Sequence, residues 1–304
     1  MGKLSYRPPE RSFLGAEGAA ERPQEAAALV IPFPLEATVT YGGGTARGAE
    51  AIIAASPELE FFDEALGCEP CHAFGIATLE APRVATPVAA AVDQVASLVS
   101  EALHAGHLPL VLGGEHSLTA GAVRPFAERY SDLVVLQFDA HADLRDVYRG
   151  ERHNHGCAMR RVLDAKHVRL VAVGLRNISA EEAAFAEANR DRVSVHWARS
   201  KAEWDPAEIV APLAGKPIYV TFDVDGFDAS LMPATGTPEP GGLFWDDAMA
   251  VLEAAAGVGT VVGADVVELA PIDGIRSCDF TAAKLAYKVL SLALTGPDNA
   301  LPPS

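Results

Sequence analysis

Three things are scarce in this 304-residue chain, and each scarcity argues against a class of function. No run of about twenty apolar residues exists to span a bilayer as a helix, and the N-terminus MGKLSYRPPERSFLG lacks the apolar centre of a secretion signal. The sequence therefore predicts a cytoplasmic protein with no membrane partner. Cysteine is down to four residues, too few for a disulfide framework. Cys68 and Cys71 form a CxxC in GCEPCHAFG, but no second pair follows and Pro70 stands where a redox helix would begin, so coincidence is preferred to a zinc or redox site. Basic residues are outnumbered, 24 Lys and Arg against 41 Asp and Glu, for a net charge of −17. That balance argues against nucleic acid as a partner and would attract a cationic small molecule, although ordinary solubility explains it equally well.

What is present is apolar: 49% of the residues are hydrophobic, enough for a large buried core. The first 25 or so residues are rich in Pro, Gly and charge and read as a surface arm. Beyond them β-type runs alternate with helical patterns: AALVIPF then GAEAIIAAS, LPLVLGG then SLTAGAVRPFAERY, LVVLQFD then CAMRRVLDA. The alternation continues through VRLVAVGL, EEAAFAEANR, VSVHWA, PIYVTFDVD, WDDAMAVLEAAAG, VGTVVGADVVEL and FTAAKLAYKVLSLAL. This order predicts an α/β fold of three layers, a mostly parallel sheet with helices on both faces. No repeat, linker or composition shift divides the chain, so residues 1–304 are read as one domain with 1–25 as its N-terminal arm.

Polar residues recur where the predicted strands end. Glu115 and His116 follow LPLVLGG; Asp139, His141 and Asp143 follow LVVLQF; Asp223 and Asp225 follow PIYVTF; Asp265 and Glu268 close VVGADVVE. In open α/β sheets the ligand crevice lies outside the carboxyl ends of the strands, so these groups are expected to converge. An extended stretch would aim Asp139, His141 and Asp143 at one face, because side chains two apart share a face of a strand. One such fragment alone is ordinary turn chemistry. A cluster of Asp139, Asp143, Asp223, Asp225, His116 and His141, however, cannot stay ionised together without a compensating cation. Carboxylate and imidazole without thiolate suit Mn, Fe, Co or Ni, with Zn possible, and shared aspartates suit two ions about 3.5 to 4 Å apart. Such ions lower the pKa of bound water to about 7, which makes a hydrolytic nucleophile at neutral pH.

The fragments GGEHS from Gly113, FDAHAD from Phe138, FDVDGFD from Phe222 and TGTPEPGG from Thr235 resemble the signature set of the ureohydrolases, the arginase and agmatinase family. The resemblance runs from about Ser12 to the last helix. It implies an eight-stranded parallel sheet, a trimeric or hexameric homo-oligomer, two manganese ions per subunit and hydrolysis of a guanidinium to urea and an amine. It assigns one ion to His116, Asp139, Asp143 and Asp223, and the other to His141, Asp139, Asp223 and Asp225. It makes His155 an unligated proton shuttle, Asp143 a helper in proton transfer to the leaving amine, and Glu268 the acid that grips the guanidinium, a task for which a carboxylate is well shaped. The Gly run in TYGGGTARG fits neither a phosphate loop nor a dinucleotide fingerprint, and is similar to a segment of agmatinase-like members.

Arginine-cleaving members carry an Asn shortly after DAHxD, whereas Leu144, Arg145 and Asp146 stand here. The resemblance to bacterial agmatinases makes agmatine the expected substrate, putrescine the product and polyamine biosynthesis the setting. Arg149 and Arg152 leave a guanidino acid such as 4-guanidinobutanoate as an alternative, since an arginine would welcome its carboxylate, but the preferred reading has both pointing to solvent or to a neighbouring subunit. Two readings of another class are a single-zinc deacetylase-like hydrolase and a catalytically silent metal-binding relative. His72, His104, His107, His167 and His196 are read as structural or surface residues, and His153, two residues from His155, as a loop residue whose contact with substrate is left open.

Overall fold

The computed structural model describes residues 4–296; the first three residues of the expected arm and the last eight of the chain lie outside the described residues. Eight strands form one sheet: β1 Ala28–Phe33, β2 Ile76–Thr78, β3 Leu108–Gly113, β4 Val134–Phe138, β5 Arg169–Leu175, β6 Val193–Trp197, β7 Pro217–Asp223 and β8 Thr260–Val267. Their spatial order is β2-β1-β3-β8-β7-β4-β5-β6, and every neighbouring pair is parallel. A parallel sheet needs helical crossovers, and those crossovers cover both of its faces. The strands accordingly read as continuous apolar runs, with β1 and β4 buried along their whole length.

Alternation along each strand splits the core in two. Val134, Leu136 and Phe138 of β4 face the helices Trp245–Val258 and Arg276–Leu294, while Val135 faces the layer that includes Val88–His104. That last helix and β2 are absent from the sequence reading. The helix had a readable signal, because Val88, Ala91, Val92, Val95, Val99 and Ala102 follow a helical period and are all buried. The single helix expected over 117–130 is instead a 3-10 turn His116–Leu118 followed by helices Thr119–Ala122 and Arg124–Arg129. Pro125 accounts for the break, since it has no N–H to donate to the carbonyl of Gly121.

The N-terminal segment also departs from a surface arm. Tyr6 bridges to Leu79, and the buried Arg7 guanidinium donates to the Leu79 carbonyl at 3.1 Å and to the Glu50 carboxylate at 3.0 Å. Phe13 and Leu14 are fully buried in the core.

The middle of the sheet decides where chemistry can occur. β3, β8, β7 and β4 lie side by side, so the segments that follow them open onto one crevice. Gly114 makes the turn after β3 possible: a Cβ there would lie 1.9 Å from the carbonyl oxygen of Leu35.

Because Phe13 belongs to the core, Phe13→Ala is expected to destabilise the protein by about 3–5 kcal/mol, the range for deleting a buried aromatic ring. Chemical denaturation monitored by circular dichroism measures it; an unmoved midpoint would mean that the segment is a detachable arm.

Candidate functional site

The structure brings His116, Asp139, His141, Asp143, Asp223, Asp225, His155 and Glu268 to the crevice, but not by the strand alternation expected for DAHAD. β4 stops at Phe138, and the Asp139 carboxylate turns back to accept the backbone N–H of His141 at 2.6 Å. Asp143 then adopts a left-handed backbone, φ 52°. Convergence therefore comes from an Asx-type turn and a backbone conformation that L-residues rarely adopt. The same device recurs after β7, where the Asp223 carboxylate accepts the N–H of Asp225 at 2.8 Å. Glu268, just past β8, is also left-handed at φ 66°.

Two groups of side chains in this cluster could hold a cation: His116, Asp139 and Asp223, and Asp139, His141 and Asp225. His116 is the more telling. Its Nδ1 lies 3.2 Å from Asp139, 3.0 Å from Asp143 and 3.3 Å from Asp223, yet has no assigned hydrogen bond among the described residues. On the far side of the ring, Nε2 lies 2.9 Å from the hydroxyl of Thr221, which donates its own proton to Asp265 at 2.6 Å. In the neutral ring Nε2 must then be the donor, which leaves the Nδ1 lone pair pointing at three carboxylates. Such an arrangement fits a divalent cation, which would turn every one of those repulsions into a bond.

The electrostatics agree. Burial and the Asp139 charge push the Asp143 carboxyl up to about 7, and burial with Asp225 and Asp139 raises Asp223 well above its usual range. Burial opposes charge on His141, but the Asp225 and Asp139 carboxylates outweigh it and push the imidazole up to about 12. Without cations the cluster must therefore retain protons that bound metal would displace.

Around this centre stands a layer that sequence reasoning missed. Thr221 orients His116, and Gln137 donates to Asp139 at 2.7 Å. Both are fully buried polar residues in otherwise apolar strand runs, which was the available signal. Asp265 accepts hydrogen bonds from Thr119, Tyr219 and Thr221, so it braces the site rather than facing the cleft. Glu115 is likewise inward, binding the backbone N–H of Ala37 and Thr38 and the hydroxyls of Thr38 and Ser117. Because the Thr38 hydroxyl donates to Glu115, His155 Nδ1 is the donor to Thr38 at 3.0 Å, which frees Nε2. Burial lowers the pKa of His155 and keeps that ring neutral.

The cleft, about 330 Å³, is lined by His141, Asp143, His155, Asp223, Asp225 and Glu268 together with Arg145, Tyr148, Glu182 and Glu239. Burial pushes the Glu268 carboxyl up to about 8, although its Oε1 accepts the His116 N–H at 2.6 Å. Arg149 and Arg152 do not line the cleft: Arg152 pairs with Asp146 at 3.4 Å, and Arg149 lies 5.5 Å from the centre of the Tyr148 ring. His153 faces a different cavity, beside Arg161 and Val162.

A family model described as the arginase family matches residues 26–291. The chain is 38% identical over 277 residues to the N(1)-aminopropylagmatine ureohydrolase of Synechocystis, covering 88% of this chain and 89% of that one. It is 31% identical over 273 residues to the guanidinobutyrase of Pseudomonas aeruginosa, covering 86% and 85%. The crystal structure of the agmatine ureohydrolase of Thermoplasma volcanium superposes with a TM-score of 0.82 at 29% identity, covering 93% of this chain and 94% of that one.

Removing the contact that holds His116 should cost metal without disturbing the cleft. Thr221→Val is expected to weaken metal affinity about 10- to 100-fold, the usual effect of deleting an outer hydrogen-bond partner. Competition with a chelating dye reads this directly, and an unchanged affinity would remove Thr221 from the site. Asp139→Asn, which touches both groups, is expected to abolish stable metal binding by elemental analysis; a variant carrying its full complement would overturn the shared-ligand assignment.

Proposed function

This chain belongs to the arginase family, a binuclear-metal-dependent family of hydrolases acting on guanidino compounds, and from that premise we propose that it converts agmatine to urea and 1,4-diaminobutane. The observation that carries the choice of agmatine is the charge inside the cleft. Arg145 is the arginine among the lining residues, and it stacks 4.8 Å from the centre of the Tyr148 ring with Nε 3.8 Å from Glu182. With Arg149 and Arg152 outside, a substrate carboxylate such as that of 4-guanidinobutanoate would meet a surplus of acids. An amine is attracted by the same surplus.

In this reading His116, Asp139, Asp143 and Asp223 hold one manganese and His141, Asp139, Asp223 and Asp225 the other. When bound, the pair supplies a water activated for attack and charge to stabilise the tetrahedral stage. The chain's own residues do the rest. Glu268, on the chain segment next to His116, receives the guanidinium side-on, and an arriving cation restores the ionised state that burial disfavours. His155, neutral and with Nε2 free, carries a proton towards the departing amine, and Asp143 assists at the metal side. The presence of His141 and Asp225 beside the first group supports two ions over a single-zinc deacetylase-like site. The full ligand set with His155 and Glu268 weighs against a silent relative.

A second reading has specific support: the Synechocystis relative's name points to agmatine bearing an aminopropyl group, a longer cation that the same acidic cleft would favour. We further propose a cytoplasmic homo-oligomer, trimeric or hexameric, that supplies diamine for polyamine biosynthesis. Among the described residues no helix is long and apolar enough to cross a membrane.

Urea release with added manganese tests the reading. Agmatine or its N(1)-aminopropyl derivative is expected to be cleaved far faster than arginine or 4-guanidinobutanoate. No urea from any of the four would sink the hydrolase assignment for this chain, and a preference for the acids would sink the amine.

A further inference from the structure

The acids lining the cleft are not equally available. Asp143, Asp223 and Asp225 belong to the cation cluster, and Glu268 lies next to it. Glu182 is fully committed, accepting from Leu144 N at 3.0 Å, Ser179 N at 2.8 Å and the Ser179 hydroxyl at 2.6 Å. Glu239, in TGTPEPGG, is different. It lines the cleft, is half-buried, and among the described residues its carboxylate has neither a hydrogen bond nor an ion pair.

Its backbone, by contrast, is tightly held. The Glu239 carbonyl accepts from Arg176 Nη2 at 2.8 Å, and the same nitrogen binds the carbonyls of Asp225 at 2.6 Å and Phe227 at 3.0 Å. Arg176 Nη1 adds the carbonyls of Gly174 at 3.1 Å and Gly226 at 3.3 Å. One guanidinium thus ties the Glu239 loop to the segment that carries Asp223 and Asp225. At its start the loop bridges from Thr235 to Leu269, the neighbour of Glu268, and at its end Gly241 and Gly242 donate to Asp228 at 2.7 and 3.0 Å. Pro238 and Pro240 restrict the backbone on either side of Glu239. A free carboxylate on so constrained a loop is preorganised, so a cation that reaches it need not order the loop first.

Building on the guanidine-hydrolase reading, we propose that Glu239 binds the amine at the far end of the substrate. Glu268 and Glu239 then act as a two-point gauge for guanidines whose chain ends in an ammonium. The carboxylate receives a charge-assisted hydrogen bond from that ammonium, whether a primary amine or the secondary amine of an N-alkylated derivative.

The test compares agmatine with butylguanidine, the same chain without its amine, on the manganese-loaded enzyme. In Glu239→Gln the ratio of kcat/KM for agmatine to that for butylguanidine is expected to fall at least tenfold, with the change in KM rather than kcat. Glu239→Asp should keep part of the preference. Both substrates are measured on one preparation, so a partly folded variant does not alter the ratio. A ratio in Glu239→Gln equal to that of the unaltered protein overturns the role of Glu239 and leaves the hydrolase reading standing. Absence of urea from agmatine, its N(1)-aminopropyl derivative, arginine, 4-guanidinobutanoate and butylguanidine alike with the unaltered protein overturns the hydrolase reading, and this inference with it.

Discussion

The structure turns on one crowded arrangement: an imidazole nitrogen, Nδ1 of His116, buried 3.0 to 3.3 Å from the carboxylates of Asp139, Asp143 and Asp223. Nothing in an apolar interior would collect these groups spontaneously, because each buried charge loses its water. They are held by what surrounds them. Thr221 and Asp265 fix the His116 ring, Gln137 holds Asp139, and Asp143 and Glu268 sit in left-handed backbone costing about 1–3 kcal/mol each. Strain and charge crowding of this kind persist where the surrounding fold over-determines them, and a divalent cation would relieve the crowding.

The fold supplies that over-determination through strand order. Placing β3, β8, β7 and β4 together aligns four strand ends that are far apart in the chain, so candidate ligands from positions 116 to 225 and an acid at 268 share one crevice. The fully buried Glu115 extends this logic outward by binding the 37–38 backbone and, through Thr38, the free-standing His155. Arg176 does the same for the segments around Asp225 and Glu239. The candidate metal site and the cleft beside it are therefore braced by the hydrogen bonds of both residues.

Much of this was legible beforehand, for reasons that differ from place to place. β1, β3, β4, β5, β7 and β8 announced themselves because a parallel sheet buried on both faces demands unbroken apolar runs. Polar residues at their ends stood out against that background. β2 did not, since three residues carry too little pattern, and the break at Pro125 was passed over in a segment that otherwise reads as helical. Phe13 and Leu14 were read as part of an arm because composition averages over a segment and hides two residues that reach the core.

By itself the sequence determined the class of sheet and offered a set of candidate donors with the chemistry such donors imply, because these follow from residue type and local spacing. Only the tertiary structure decided how DAHAD delivers its three side chains, that Arg149 and Arg152 stay outside the cleft while Arg145 enters it, and that Glu239 keeps an unengaged carboxylate among the described residues. The physical reason is that a ligand type is a property of one residue. Whether a charge is free or neutralised depends instead on which distant groups the fold brings within a few ångströms of it.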